Sequence, residues 1–127
     1  MSVVVGFIPT EVGQAALLAA REQAELRGAP LVVVNVQLTE APDDPRNAAP
    51  SDLEAAQDLL RDAAVRVEVL REEAHEDIAD TLLDVTARKD AELLVLGNRH
   101  EPSVGRPLLG LTLQRLLLDA ECEVLVV

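Results

Sequence analysis

The sequence has no Trp, no Tyr, one Phe and one Cys among its 127 residues. The single Cys122 cannot form an internal disulfide bond, and it excludes zinc sites built from several cysteines. With one aromatic ring, the chain has little surface on which nucleic-acid bases could stack. Its longest apolar run falls far short of the roughly 20 residues that a membrane-spanning helix needs. These absences predict a cytoplasmic protein with neither a nucleic acid nor a membrane as partner.

Basic residues are also scarce. The chain has 11 Lys and Arg residues against 23 Asp and Glu residues, so its net charge is −12 with His neutral. A body this acidic repels the phosphate backbone of DNA and RNA. The length fits one domain, which we place at residues 1–127. Area scaling predicts that about two thirds of the surface is buried on folding, which is enough for one core.

Apolar and helix-forming segments alternate along the chain. Continuous apolar runs predict buried strands over residues 3–8, 31–36, 93–97 and 122–127, and the apolar–polar alternation of residues 65–69 predicts an edge or half-covered strand. Strong helix formers or helical spacing predict helices over residues 11–27, 51–63, about 78–85 and 107–119. This order predicts an α/β fold, a doubly wound and mostly parallel sheet with helices on both faces.

Local signals mark the element ends. Thr10 is placed to cap the first helix and Gly28 to end it. Ser51, followed three residues later by Glu54, has the pattern of a capping box for the second helix. Residues 39–50, which contain three prolines among polar residues, are predicted to form a mobile surface loop.

The segment 97–112 carries the strongest functional signal. Ligands of doubly wound sheets bind beyond the carboxyl ends of the strands, so the loops after the first and fourth strands are the first places to look. Gly97, Gly105 and Gly110 would let the backbone approach an anion near a helix N-terminus. In the alternative interpretation, these glycines end a strand, turn a loop and allow close helix packing.

Positive charge is concentrated in the same part of the chain. Arg99, Arg106 and Arg115 lie between residues 97 and 118, where Glu101 is the one acidic residue, so this segment carries a charge of +2. A basic segment on an acidic molecule is what a phosphate-binding loop would look like.

Over its whole length the chain resembles the universal stress protein family. That family has a pattern of Gly, two residues, Gly, nine residues, Gly, then Ser or Thr, before a closing helix and strand. Gly97 matches its first glycine and Gly110 its last, while residues 114–127 look like the closing helix and strand. The resemblance implies a five-stranded parallel sheet of order 3-2-1-4-5 with four helices, and a cytoplasmic stress-response role.

The resemblance also implies a nucleotide pocket, since some family members bind ATP. The residue matching Val36 contacts adenine through its backbone, and Thr112 lies one position after the family's Ser or Thr. Together with the loop cations and glycines, the candidate nucleotide-binding residues are Val36, Gly97, Arg99, Gly105, Arg106, Gly110 and Thr112.

Three positions depart from the ATP-binding pattern. Ile8 replaces the Asp that ends the first strand, His100 replaces the second glycine, and Leu111 replaces the Ser or Thr. We therefore predict a degenerate nucleotide pocket and no resident cofactor. The alternative is a regulatory switch in which ATP or AMP orders the 97–112 loop.

The last strand predicts a homodimer. Val124, Leu125, Val126 and Val127 are apolar on both faces and would offer free backbone groups at a sheet edge. In the family, last strands commonly pair across a two-fold axis, which satisfies both edges at once. We expect a homodimer formed through these four residues, with regulatory protein partners that the sequence does not identify.

No catalytic set is recognisable in the sequence. Ser103 lacks the Gly-x-Ser-x-Gly pattern, and His100 has no nucleophile at partner spacing. Cys122 lies between two glutamates, which disfavour a thiolate, and the acids around His75 fit a solvated turn better than a metal site. We predict no enzymatic activity and no metal, with a slow phosphatase or nucleotide hydrolase as the remaining alternative.

Overall fold

The computed structural model describes residues 1–74, 77–98 and 110–127 in full, and the backbone of residues 100, 101, 106 and 107. The strands are β1 Ser2–Gly6, β2 Leu31–Leu38, β3 Val67–Ala74, β4 Ala91–Leu96, β5 His100–Glu101, β6 Arg106–Pro107 and β7 Glu123–Val126. The helices are α1 Glu11–Arg27, α2 Pro50–Leu59, α3 Ile78–Arg88 and α4 Leu111–Asp119.

Five strands form one parallel sheet in the order β3-β2-β1-β4-β7. Val4 in the centre is paired with Val32 of β2 on one side and with Leu94 of β4 on the other. Since β7 is the fifth strand of this sheet, the predicted order 3-2-1-4-5 is confirmed.

Helices cover both faces of the sheet, as predicted. Val3 and Val5 belong to the apolar cluster that includes residues of α1 and α2, whereas Val4 belongs to the cluster formed with α3 and α4. All three valines are fully buried. The continuous apolar run of β1 is therefore explained by its place at the centre of a sheet that is covered twice.

The edge position of β3 is confirmed, but its bounds are not those predicted. The strand runs over Val67–Ala74 because it pairs with β2 along eight residues, from Leu31 with Val67 to Leu38 with Ala74. This edge strand tolerates charged residues, and Glu68 forms an ion pair at 2.7 Å with Lys89 at the end of α3. The polar stretch after residue 69 concealed the second half of the strand.

The caps predicted for α1 are confirmed. The Thr10 side chain accepts a hydrogen bond from the Gly13 N–H at 3.1 Å, and Gly28 ends the helix with a φ of 62°. That left-handed conformation is easily reached by glycine.

The capping box predicted at Ser51 is wrong. The N-cap of α2 is Ala49, Pro50 takes the first helical position, and the Asp52 carboxylate accepts the Ala49 N–H at 2.8 Å. Proline suits that position because its nitrogen has no hydrogen to leave unpaired. The helix ends at Leu59, short of the predicted residue 63.

The predicted boundary of α4 also needs correction. Arg106–Pro107 is not helical but pairs antiparallel with His100–Glu101, and α4 begins at Leu111. The prediction started the helix at Pro107 because of that proline and the helix formers that follow it. The sequence did not show that the backbone of Arg106–Pro107 pairs with another segment. None of the described helices is both long and apolar enough to cross a lipid bilayer.

Candidate functional site: a cavity at the carboxyl edge of the sheet

A cavity of about 1120 Å³ opens beyond the carboxyl ends of β1, β2 and β4. This is the place where the winding of the sheet reverses, because β1 connects to β2 on one side and β4 lies on the other. The α1 and α4 N-termini, the segment 44–46 and the first turns of α3 complete the wall.

The inner wall of the cavity is apolar. The sheet contributes Val34, Val36 and Leu96, while α3 contributes Leu82 and α4 contributes Leu116. All five side chains are almost fully buried. This part of the cavity can accept a flat apolar group such as a nucleobase.

Two helices begin at the cavity, and they differ in their caps. Thr10 accepts a hydrogen bond from α1, whereas Gly110 offers α4 no side-chain acceptor. The first N–H groups of a helix have no partner within the helix, and they favour anions. The α4 N-terminus, which includes Leu111 and Thr112 in the cavity wall, is the more open of the two to an anionic group.

The glycines at the site have different roles. A Cβ atom at Gly97 would lie 2.4 Å from Val12 Cγ1 and 2.9 Å from the Val12 carbonyl oxygen, so this glycine lets β4 end against α1. A Cβ atom at Gly110 would meet nothing within 4 Å. Gly97 therefore ends its strand, as in the alternative interpretation, and also lines the cavity. The open space at Gly110 does not support the close helix packing which that interpretation gave to it.

One ion pair lies in the cavity wall. Arg46 donates to Asp44 through Nε at 3.0 Å and through Nη2 at 2.9 Å, and the Arg46 backbone N–H donates to the same carboxylate at 2.9 Å. The Arg46 side chain, followed by its backbone N–H, lowers the pKa of Asp44 to about 2. Asp44 is thus ionised throughout the physiological pH range.

A buried asparagine holds this ion pair in place. Asn35 is fully buried in β2, and its Nδ2 donates to the carbonyl oxygens of Phe7 and Arg46, both at 2.9 Å. Its Oδ1 accepts from the Ala48 N–H at 3.0 Å and from the Gln37 amide. The side chain therefore ties the end of β1 to the segment that carries Arg46.

The predicted mobile loop is built around these contacts. Asn47 adds two of them, since its Oδ1 accepts the Leu38 N–H at 2.7 Å and its Nδ2 donates to the Ala41 carbonyl at 2.9 Å. Residues 39–49 form hydrogen-bonded turns, and Ala48 is 1% exposed. The prolines and polar residues that suggested mobility in the sequence belong to this folded arrangement.

Arg115, one of the three arginines in the predicted basic segment, is not free to bind an anion. Arg115 donates to the Asp77 carboxylate at 2.6 Å and to Asp80, and it pairs with Asp119 at 3.5 Å. These hydrogen bonds, with Asp80 first, raise the pKa of Arg115. Arg115 joins α4 to the start of α3, and its charge is neutralised there.

The other candidate residues have different outcomes. Val36, Gly97, Gly110 and Thr112 all line the cavity. Arg106 lies in β6, where its backbone alone is described, while Arg99 and Gly105 lie outside the described residues, as does His75.

Ile8, placed by the resemblance where ATP-binding members have an Asp, also lines the cavity.

The sequence prediction missed Asn35, Asp44 and Arg46, and it missed Gly13. A Cβ atom at Gly13 would lie 1.7 Å from the Ile8 carbonyl oxygen, so the first turn of α1 closes tightly on the chain before it. Signals were present: Asn35 is the one polar residue in the apolar run 31–36, and Gly13 interrupts a series of helix formers.

Metal and thiol chemistry have little support in the described part of the chain. No group of three His, Cys, Asp or Glu residues there could hold a metal ion. Burial raises the pKa of the Cys122 thiol, and the charge of Glu123 adds to this effect. The direction agrees with the sequence prediction, although burial rather than the flanking carboxylates is the main cause.

The fold and the cavity define a class, the doubly wound α/β proteins with a ligand site at the switch point of the sheet. The family model of the universal stress protein family matches residues 1–127, and the chain belongs to that family. A universal stress protein from Mycolicibacterium smegmatis is 37% identical over 125 residues, which are 98% of this chain and 95% of that protein.

Solved structures show the same fold. A universal stress protein from Archaeoglobus fulgidus has a TM-score of 0.83 and 24% identity, with 99% of this chain and 97% of that chain covered. A universal stress protein in complex with cAMP has a TM-score of 0.77 and 23% identity, with 100% of this chain and 95% of that chain covered.

Proposed function

We propose that the protein is a cytoplasmic stress-response module that acts by binding and self-association rather than by catalysis, and that its cavity takes an adenine nucleotide with one phosphate group. The cavity at the switch point is the observation that carries this proposal. A stress-response role fits the family, and the fold relative in complex with cAMP shows that such a scaffold accommodates a nucleotide of this size.

The shape and polarity of the cavity suit a mononucleotide. Its volume of about 1120 Å³ is ample for one, and its apolar inner wall around Val36 suits the base. The uncapped N-terminus of α4 suits a phosphate group.

Charge favours one phosphate over three. The described residues that line the cavity include two acidic residues, Glu11 and Asp44, and one basic residue, Arg46, so their net charge is −1. Each additional phosphate group adds negative charge beside Glu11 and Asp44, and Ile8 and Leu111 provide no polar contact to offset it. We therefore expect AMP or cAMP to bind more tightly than ATP, in place of the empty pocket that the three departures suggested.

Titration calorimetry with AMP, cAMP and ATP tests the proposal. We expect saturable heat from AMP or cAMP below millimolar concentration, and weaker binding of ATP. Gly110→Glu places a negative charge at the start of α4 without a clash, because a Cβ atom there has open space. It should weaken AMP binding more than the neutral matched variant Gly110→Gln does.

The absence of heat from all three nucleotides would reject nucleotide binding. Tighter binding of ATP than of AMP would reject the charge argument, even with the site confirmed.

Self-association is proposed from the edge strand β7. The Val127 N–H donates to the Leu96 carbonyl at 2.9 Å, and the Val127 carbonyl accepts from the Asn98 N–H at 2.9 Å. Because bonding directions alternate along a strand, the backbone groups of Val124 and Val126 point away from β4. We infer a homodimer in which two copies pair through Val124–Val127 across a two-fold axis.

Light scattering after size-exclusion chromatography tests the dimer. Val126→Pro removes an outward N–H and should yield a monomer, whereas Val126→Thr has a similar shape, retains the N–H and should stay dimeric. A monomeric mass of the unmodified protein at micromolar concentration would contradict the proposal.

A further inference from the structure

Arg46 is the one cationic side chain among the described residues that line the cavity. Its contact with Asp44 is bidentate through Nε and Nη2, and no described residue accepts a hydrogen bond from Nη1. The Arg46 side chain is 47% exposed and that of Asp44 is 20% exposed. The guanidinium is therefore accessible from the cavity while it is held by an internal carboxylate.

The backbone at this position is fixed independently of the ion pair. Asn35 binds the Arg46 carbonyl and Asn47 binds the preceding turn, so these contacts do not involve the Arg46 guanidinium. An anion entering the cavity can thus draw Arg46 away from Asp44 without unfolding the loop. Two oxygens of a phosphate group can accept the guanidinium N–H groups in the same bidentate way as a carboxylate, and a phosphate group carries as much charge or more.

We propose that Arg46 is the phosphate-binding side chain of the cavity and that Asp44 is a built-in competitor, which the phosphate group of the nucleotide displaces. This inference rests on the proposed binding of an adenine mononucleotide. Asp44 stands in for the ligand while the cavity is empty, so it holds Arg46 in place and lowers the apparent affinity for the nucleotide. Anions with too little charge to displace a carboxylate are thereby rejected.

A double-mutant cycle with AMP tests the competition. Asp44→Asn keeps an oxygen for the Arg46 backbone N–H but gives up the charge, and it should tighten AMP binding about fivefold. Arg46→Met should weaken AMP binding about tenfold, and Arg46→Lys should weaken it less because it keeps the charge. The double variant should match Arg46→Met within about twofold, because Asp44 then has nothing to compete for.

Two controls isolate the phosphate. Adenosine, which lacks it, should bind all four variants as it binds the unmodified protein. Asp58→Asn removes the same charge from an exposed ion pair with Arg61 that does not line the cavity, and it should leave AMP binding unchanged. Circular dichroism of each variant confirms that it is folded.

The outcomes separate the two proposals. If the unmodified protein binds AMP and Arg46→Met binds it equally well, the role of Arg46 is refuted and the proposed function stands. If Asp44→Asn tightens binding as much without Arg46 as with it, Asp44 acts as a simple repulsive charge and the competition is refuted. If the unmodified protein binds none of AMP, cAMP and ATP, the proposed nucleotide binding fails and this inference fails with it.

Discussion

Asn35 is expected to control the stability of the site, and two substitutions separate what it does. Asn35→Ala removes the partner of three backbone groups: the carbonyls of Phe7 and Arg46 and the N–H of Ala48. Asn35→Asp preserves the shape and the acceptor oxygen for Ala48. It places its second oxygen against the two carbonyls, where the amide previously donated.

The magnitude follows from burial. Asn35 is 0% exposed, and an unsatisfied buried polar group costs about 1–3 kcal/mol. Water from the adjoining cavity can partly replace the lost partners, so we expect Asn35→Ala to reduce the free energy of unfolding by about 3 kcal/mol. An ionised Asp at the same position carries a buried, uncompensated charge and should cost about 3–5 kcal/mol at neutral pH.

The two variants should respond differently to pH. Burial and the two carbonyls raise the pKa of the introduced Asp in the folded state, because they disfavour its charged form. The folded state then holds the proton more tightly than the unfolded state, so the stability of Asn35→Asp should fall as pH rises above about 4. Asn35→Ala introduces no titrating group, and its stability loss should be nearly constant with pH.

Urea denaturation monitored by far-ultraviolet circular dichroism at pH 5, 6.5 and 8 measures both effects, since the chain has no Trp to report by fluorescence. Each variant is compared with the unmodified protein at the same pH. If Asn35→Ala lowers the free energy of unfolding by less than about 1 kcal/mol, the proposed role of Asn35 in holding the loop to the sheet is refuted, since one unsatisfied buried group costs more than that. The same loss for Asn35→Asp at all three pH values would refute the assignment of the amide nitrogen to the two carbonyls.

Three further predictions concern neighbouring positions. Gly97→Ala should destabilise the protein by about 1–3 kcal/mol because its Cβ atom would overlap Val12, whereas Gly110→Ala, with open space, should change the unfolding free energy by less than about 1 kcal/mol. Arg115→Met should lower stability in dilute buffer more than in 1 M NaCl, since it removes partly exposed ion pairs; an equal loss in both would show that packing of the side chain dominates. The pKa of Asp44 lies at about 2 against an ordinary value of 3.8, so its stabilising contribution should be lost as pH falls through this range. Acid titration should show less loss of stability in Asp44→Asn than in the unmodified protein.

The fold was predictable because its signals are repeated along the chain. The fully apolar run of β1 and the alternation at the start of β3 reflect burial on two faces and on one face, and burial is what sequence periodicity reports. The errors lie at the element ends. Ser51 has the side chain of an N-cap, but Ala49 takes that position because Pro50 fits the first turn and Asp52 binds back to it.

The site was predictable only in part. Gly97 and Gly110 could be found because the glycine pattern is local in sequence. The contact of Asn35 with Arg46 joins residues 11 positions apart through a backbone carbonyl, and no local pattern reports such a contact. Arg115 was misjudged for a similar reason, because its partner Asp77 lies 38 positions away in sequence.

The departures from the ATP-binding pattern have a common physical consequence. Ile8 and Leu111 remove polar contacts beside β1 and α4, while Val36 keeps the apolar wall at β2. The described cation of the cavity lies at 44–46, in the loop after β2, and it is already paired. In the proposed complex, the ligand therefore derives most of its affinity from its apolar part. Its phosphate group must carry enough charge to displace Asp44 from Arg46, but not so much that Glu11 repels it. We therefore expect a purine with one phosphate group to suit the described part of the cavity better than a triphosphate does.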